Sequence, residues 1–102
     1  MGKPRYKNYW YGCSQTMIRR YPELKKEKGI QPAIWFNAIK NALEDTAELV
    51  DGESRLKAIE MINFQKTHTI DGAAMEVSAS RRTVQRWNSE FVNLVGKNAG
   101  FD

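Results

Sequence analysis

Arg81, Arg82, Gln85 and Arg86 stand within six residues of one another in the stretch SASRRTVQRW. An arginine fork can pair with O6 and N7 of guanine, and a glutamine amide with N6 and N7 of adenine. Val84 and Trp87 lie among them and favour burial. On a helical period, burying those two turns Arg81, Arg82, Gln85, Arg86 and Ser89 to the opposite face. Ser80 falls at the N-cap, where its hydroxyl can accept from the backbone N–H of Arg82 or Thr83. The hydroxyls of Ser78, Ser80 and Thr83 suit phosphate oxygens, contacts that set register rather than sequence preference. The bland alternative is a charged surface helix with no ligand.

Such a helix needs a neighbour to hold it. The twenty residues from Ile70, IDGAAMEVSASRRTVQRWNS, carry the burial pattern of a helix-turn-helix. That motif wants a small residue fifth, where the helices approach, and Ala74 stands there. It wants apolar residues fourth, eighth, tenth, fifteenth and eighteenth, and these are Ala73, Val77, Ala79, Val84 and Trp87. The ninth position is commonly glycine and here is Ser78, which calls for a left-handed or altered turn. Gly72 inside the first helix costs about 1 kcal/mol against alanine. The two short helices are expected over about Ile70 to Val77 and Arg81 to Val95, and the second of them is the one that would lie in a major groove.

Helical spacing extends upstream, and strand patterns are scarce. Tyr6, Trp10, Cys13, Met17, Tyr21 and Leu24 form one stripe, broken or kinked near Pro22. Lys25 to Lys28 followed by Gly29 reads as a helix end. A second helix is expected from Gln31, with Pro32 in its first turn and Ile34, Trp35, Ala38, Ile39, Ala42, Leu43, Ala47 and Leu49 or Val50 inward. Asp51-Gly52 should end it. A third runs from about Glu53 to Lys66, with Leu56, Ile59, Ile62 and Phe64 inward. The expectation is an all-α fold of about five helices: one domain over residues 1–102, with residues 1–66 as N-terminal helices and residues 67–102 as the DNA-binding part. Trp10, Trp35 and Trp87 read as core residues rather than as a platform for stacking bases.

The charge is unevenly spread. Residues 1–30 hold eight Lys/Arg against two Glu, residues 31–66 hold four against six, and residues 67–102 hold four against four. Three of those last four cations lie between Arg81 and Arg86. A focused cluster beside a basic N-terminus suits a polyanion. Lys3, Arg5 and Lys7 could form an arm on phosphates, or a disordered tail.

Other chemistries find little purchase. The single cysteine, Cys13, reads as a small core residue in a reducing compartment, and the single histidine, His68, as a capping or surface residue. They cannot assemble a Cys/His metal site within one chain, and no Ser-His-Asp set is convincing. No Gly-rich phosphate loop is present, so neither cofactor nor catalysis is expected. No apolar run approaches the roughly 20 residues of a membrane span, and no signal-peptide pattern is visible, which points to the cytoplasm.

The stretch INFQKTHTIDGAAMEVSASRRTVQRWNSEFVNLVGKNAGF resembles the C-terminal part of phage transcriptional regulators of the ArpU and RinA kind, which in turn look like the fourth region of sigma factors. The features that carry the likeness are TIDGAA, the turn SAS, RRTVQRW and FVNLVGKNAGF, and the likeness covers about residues 54–101. It implies a sequence-specific regulator of phage or prophage genes that binds double-stranded DNA. By position, the family's recognition surface falls on Arg81, Arg82, Gln85 and Arg86. A homodimer is expected, with the stripe from Tyr6 to Leu24 as its candidate surface, and RNA polymerase is a candidate partner. The alternatives are a packaging protein like a small terminase subunit and a helix-turn-helix that binds protein.

Overall fold

The computed structural model describes residues 3–65 and 69–100, with side chains from Tyr11 onward. His68 and Lys66 therefore lie outside the described residues, as do the side chains of Lys3, Arg5, Tyr6, Lys7 and Trp10. The described chain is all-helical: α1 Lys3–Arg19, α2 Tyr21–Leu24, α3 Ile30–Ala47, α4 Gly52–Ile59, α5 Ile70–Glu76 and α6 Arg81–Asn98, with a π turn at Glu60–Phe64 after α4. The described residues form six helices rather than about five because Pro22 starts a helix instead of merely bending one. The chain breaks at Arg20, and Pro22 takes the first turn of α2, where its missing N–H costs nothing. Gly29, at φ 127°, then reverses the chain into α3, a conformation that side-chain-bearing residues rarely adopt.

Two buried clusters hold these helices. The larger joins Ile18 and Leu24 to Trp35, Ala38, Ile39 and Ala42 of α3, to Ile59, and to Phe91, Val92 and Val95 of α6. The smaller gathers Ala58, Met61, Ala73, Ala74, Val84 and Trp87. Helix α6 belongs to both, so α5 and α6 do not pack as a body separate from the other helices. Burying each of the larger side chains contributes roughly 1.5–3 kcal/mol.

The N-terminal stripe goes inward. Leu24 is buried, and Cys13, Met17 and Tyr21 pack half-buried on the larger cluster. The described part of the candidate dimer surface is thus spent inside the chain. Most of α1 lies on α6 rather than on α3. The Tyr11 hydroxyl donates to Ser89 Oγ at 3.1 Å, and the buried Ser14 hydroxyl donates to the Val92 carbonyl at 2.9 Å. Both pairs are 78 residues apart, so the two helices run in the same direction side by side.

On α3 the inward face differs in part from expectation. Trp35, Ala38, Ile39, Ala42 and Thr46 are buried, whereas Ile34, Leu49 and Val50 are exposed, as is Ala47. Thr46 continues the i, i+3, i+4 row from Ala42, and Ala47 has turned a further step toward solvent. Gly52 does not end α3; it opens α4 and is buried against the end of α3. A Cβ there would collide with the Ala47 carbonyl oxygen and lie 2.7 Å from that of Thr46. After α4 the π turn inserts an extra residue, with the Gln65 N–H bonded to the Glu60 carbonyl at 2.8 Å. It brings Asn63 into the interior, where its amide donates to the Ile59 carbonyl at 3.1 Å and to Asn88 Oδ1 at 2.8 Å. Met61 is buried, while Leu56, Ile62 and Phe64 are only half-buried.

Tyr21 stacks on Phe36 with 5.2 Å between ring centroids and lies 5.3 Å from Phe64. Burial, and then the Glu44 carboxylate, push its phenol pKa above the ordinary value near 10. The folded protein therefore holds this proton more tightly than the unfolded chain does. The resulting stabilisation is complete below about pH 10 and is lost as pH rises through the folded value. Denaturant titrations of Tyr21→Phe against the parent should show the parent losing stability relative to the variant above about pH 10. Gly52→Ala should lower stability by about 1–3 kcal/mol or more, since rigid backbone must yield to the methyl group; a thermal melt reads this directly.

Candidate nucleic-acid interface

The candidate site is built on the joint between α5 and α6. Thr69 caps α5, its side chain accepting from the Gly72 N–H at 3.2 Å. Helix α5 stops at Val77 because Ser78 adopts the left-handed conformation, φ 56°. The Ala79 N–H then bonds to the Ala74 carbonyl at 3.0 Å and the Ser78 N–H to that of Met75 at 3.3 Å. This is the six-to-one and five-to-two pairing of a Schellman stop. The anticipated left-handed serine is what closes the turn. Ser80 opens α6, its Oγ accepting from the Thr83 N–H at 3.1 Å and donating to Thr83 Oγ1 at 2.8 Å.

The six positions expected to face inward do so. Ala73, Ala74, Val84 and Trp87 are buried, and Val77 and Ala79 pack half-buried against them. Ala74 is small enough to admit α6. The guanidinium of Arg55, from α4, lies 5.6 Å from the centroid of the Trp87 ring, a cation–π distance. The indole N–H of Trp87 and Arg55 Nε find no acceptor among the described residues.

Burial on this side leaves Arg81, Arg82, Gln85 and Arg86 exposed together on the first turns of α6. Their partners differ. Arg81 Nε meets Asp71 Oδ1 of α5 at 2.9 Å. Arg86 Nε stands 3.8 Å from Glu90 Oε2, whose other oxygen takes Arg55 Nη1 at 2.7 Å. Arg82 and Gln85 have no partner among the described residues.

The hydroxyl groups are less free. Ser80 and Thr83 are occupied with each other in capping the helix. Ser89 continues the line of Arg82 and Gln85, but one turn further on, where α1 crosses; its Oγ is held by Tyr11 and it is half-buried. It is therefore withdrawn from the exposed face on which it was expected. Three residues that the sequence pattern did not single out belong to the site: Asp71, Glu90 and Arg55. The i, i+4 spacing of Arg86 and Glu90 is visible in the chain. The approach of Asp71 to Arg81 is not, since it depends on the geometry of the turn.

The arrangement can present a fork-shaped cation surface to a polyanion. Among the described residues no cluster of three or more His, Cys, Asp or Glu could hold a metal ion, and no helix is long and apolar enough to cross a membrane. No protein-family model, curated protein or solved structure matches the chain.

The division of labour along α6 has a direct test. Trp87→Ala should cost about 3–5 kcal/mol of stability. Arg82→Ala and Gln85→Ala should each stay within about 0.5 kcal/mol of the parent. Urea unfolding of the three variants distinguishes anchor from exposed face.

Proposed function

We propose that this chain is a sequence-specific double-stranded DNA-binding regulator, with α5 and α6 forming a helix-turn-helix and α6 entering the major groove. The observation that carries the reading is the two-sidedness of the first turns of α6. Val84 and Trp87 anchor the helix on α5, and the opposite face offers Arg82 and Gln85 unpartnered, flanked by Arg81 and Arg86. These side chains match guanine and adenine edges, and they sit at the N-terminal end with which such helices read. The parallel course of α1 supports the reading too, because it carries the basic start of the chain toward the same end of the molecule as the start of α6. A regulator of phage or prophage genes is the biological setting suggested by the resemblance over residues 54–101. One such unit reads a short half-site, so a homodimer that doubles the contacted length belongs to the proposal.

A selection of purified protein against a pool of random duplexes at two salt concentrations tests this. A single enriched motif is expected, two-fold symmetric if the protein acts as a dimer. At the enriched site Arg82→Ala should weaken binding by about 1–3 kcal/mol. Retention without enrichment, lost at higher salt, would mean phosphate contacts alone and would favour a packaging role. No retention at either salt would leave a fold that binds protein instead.

A further inference from the structure

We propose that the outward face of α3 is a self-association surface, on which two copies of this chain pair with their α3 helices antiparallel about a two-fold axis. The proposal takes up the homodimer of the DNA-binding reading and gives it a surface, yet it rests on α3 and its flanks alone and its test needs no DNA. The described part of the stripe from Tyr6 to Leu24 is packed inside the chain, so a dimer needs another face. Four of the five large apolar side chains left exposed among the described residues flank α3: Ile30 and Ile34 at its start, Leu49 and Val50 just past its end. The fifth, Met75, stands apart on α5.

Between those ends the outward row runs Ile30, Ile34, Asn37, Asn41, Glu44 and Glu48, in steps of three and four, all of them exposed. The charge changes sign along it. Residues 19–28 hold five Lys/Arg and two Glu, whereas residues 44–53 hold five Asp/Glu and no Lys/Arg. Arg20 pairs with Glu27, but Lys25, Lys26, Lys28, Glu48 and Asp51 make no ion pair among the described residues. An 18-residue helix separates the two groups by about 27 Å, well beyond the screening length of about 8 Å at physiological salt. One chain cannot bring them together.

Within a single chain this distribution works against the helix. Cations precede the positive end of the α3 dipole, and carboxylates crowd its negative end, with no acidic residue in the first turn and no basic residue in the last. A second copy turned end for end eases both conflicts. The cations of one copy then face the acidic end of the other, and the same contact recurs across the axis, as two-fold symmetry requires. With the axis at the middle of α3, Asn37 meets the partner's Asn41, and carboxamides can donate to and accept from each other. The exposed apolar side chains supply burial, and the charges set register. One helix face with its flanks falls at the low end of specific interfaces, about 1,200 Å² in total, so the dimer should be weak and sensitive to salt.

Sedimentation velocity on the full chain without DNA, over a concentration series at low and high salt, tests this. A monomer–dimer equilibrium is expected, weakening as salt rises. Lys26→Glu with Lys28→Glu in one variant, and Glu48→Lys with Asp51→Lys in another, place like charges at both contacts and should each weaken dimerisation at least about tenfold. Mixing the two variants matches opposite charges again at both contacts and should restore a heterodimer, which misfolded chains could not form. Circular dichroism melts of the dilute variants should stay close to the parent, since all four positions are exposed. A parent that is monomeric at every concentration, a dimer indifferent to both reversals, or a mixture that does not associate would overturn the proposal. Growth beyond the dimer would mean a head-to-tail contact and would overturn the two-fold arrangement. A dimer that responds as expected, in a protein that enriches no duplex motif, would remove the DNA-reading role and leave this surface standing.

Discussion

The structure depends on α6 serving two cores at once. Val84 and Trp87 fill the cluster shared with α5 and α4, and Phe91, Val92 and Val95 fill the cluster shared with α1, α2 and α3. An 18-residue helix is about 27 Å long, enough to run from one cluster to the other without interruption. Hydrogen bonds secure it on every side: Asn88 to Asn63, Ser89 to Tyr11, the Val92 carbonyl to Ser14, and Asn98 to the Ala38 carbonyl at 3.1 Å. With its second half locked among α1, α3 and the π turn, the first half projects from a fixed base. The short α5, only seven residues, need not be stable alone, since its alanines are clamped beneath α6.

That arrangement also accounts for the electrostatics of the exposed face. Cations gathered at the start of a helix oppose the positive end of its dipole. The first turn of α6 contains no acidic residue of its own to relieve this. Relief comes from outside the turn, from Asp71 across the joint, while Glu90, itself held by Arg55, stands one turn beyond Arg86. The same carboxylates leave Arg82 and Gln85 untouched. The face is thus graded, from an ion-paired arginine at its start to unpartnered side chains beside it.

Much of this was legible in the chain wherever a residue's neighbours are set locally. The pattern from Ile70 to Trp87 located α5, the turn, the N-cap and all six inward positions, because a short helix pair leaves few ways to bury Ala73, Ala74, Val84 and Trp87. Ser78 marked its own left-handed turn by standing where glycine is usual. Legibility failed where packing was decided at long range. The stripe from Cys13 to Leu24 is apolar whether it meets a second copy or α6, and periodicity does not distinguish the two. Ser89 has the right phase for the exposed face, yet α1 reaches it from 78 residues away. The inward turn of Asn63 required a π turn, and a polar residue in a helical pattern carries no sign of one. At the end of α3 the periodic pattern ran on past Ala47, because the close approach of Gly52, which opens α4, to the last carbonyls of α3 is a backbone contact between two elements that side-chain periodicity does not register.

The separation of anchor from exposed face along α6 bears on how such a chain can change over time. Arg82 and Gln85 touch nothing that holds the fold, whereas Val84 and Trp87, interleaved with them, hold nearly everything at that end. Replacement at 82 and 85 therefore carries almost no folding penalty, and lineages can explore side chains there by single steps without passing through unfolded intermediates. Arg81 differs only in having an exposed ion pair with Asp71, which contributes little to folding. Diversification of the surface should accordingly begin at 82 and 85.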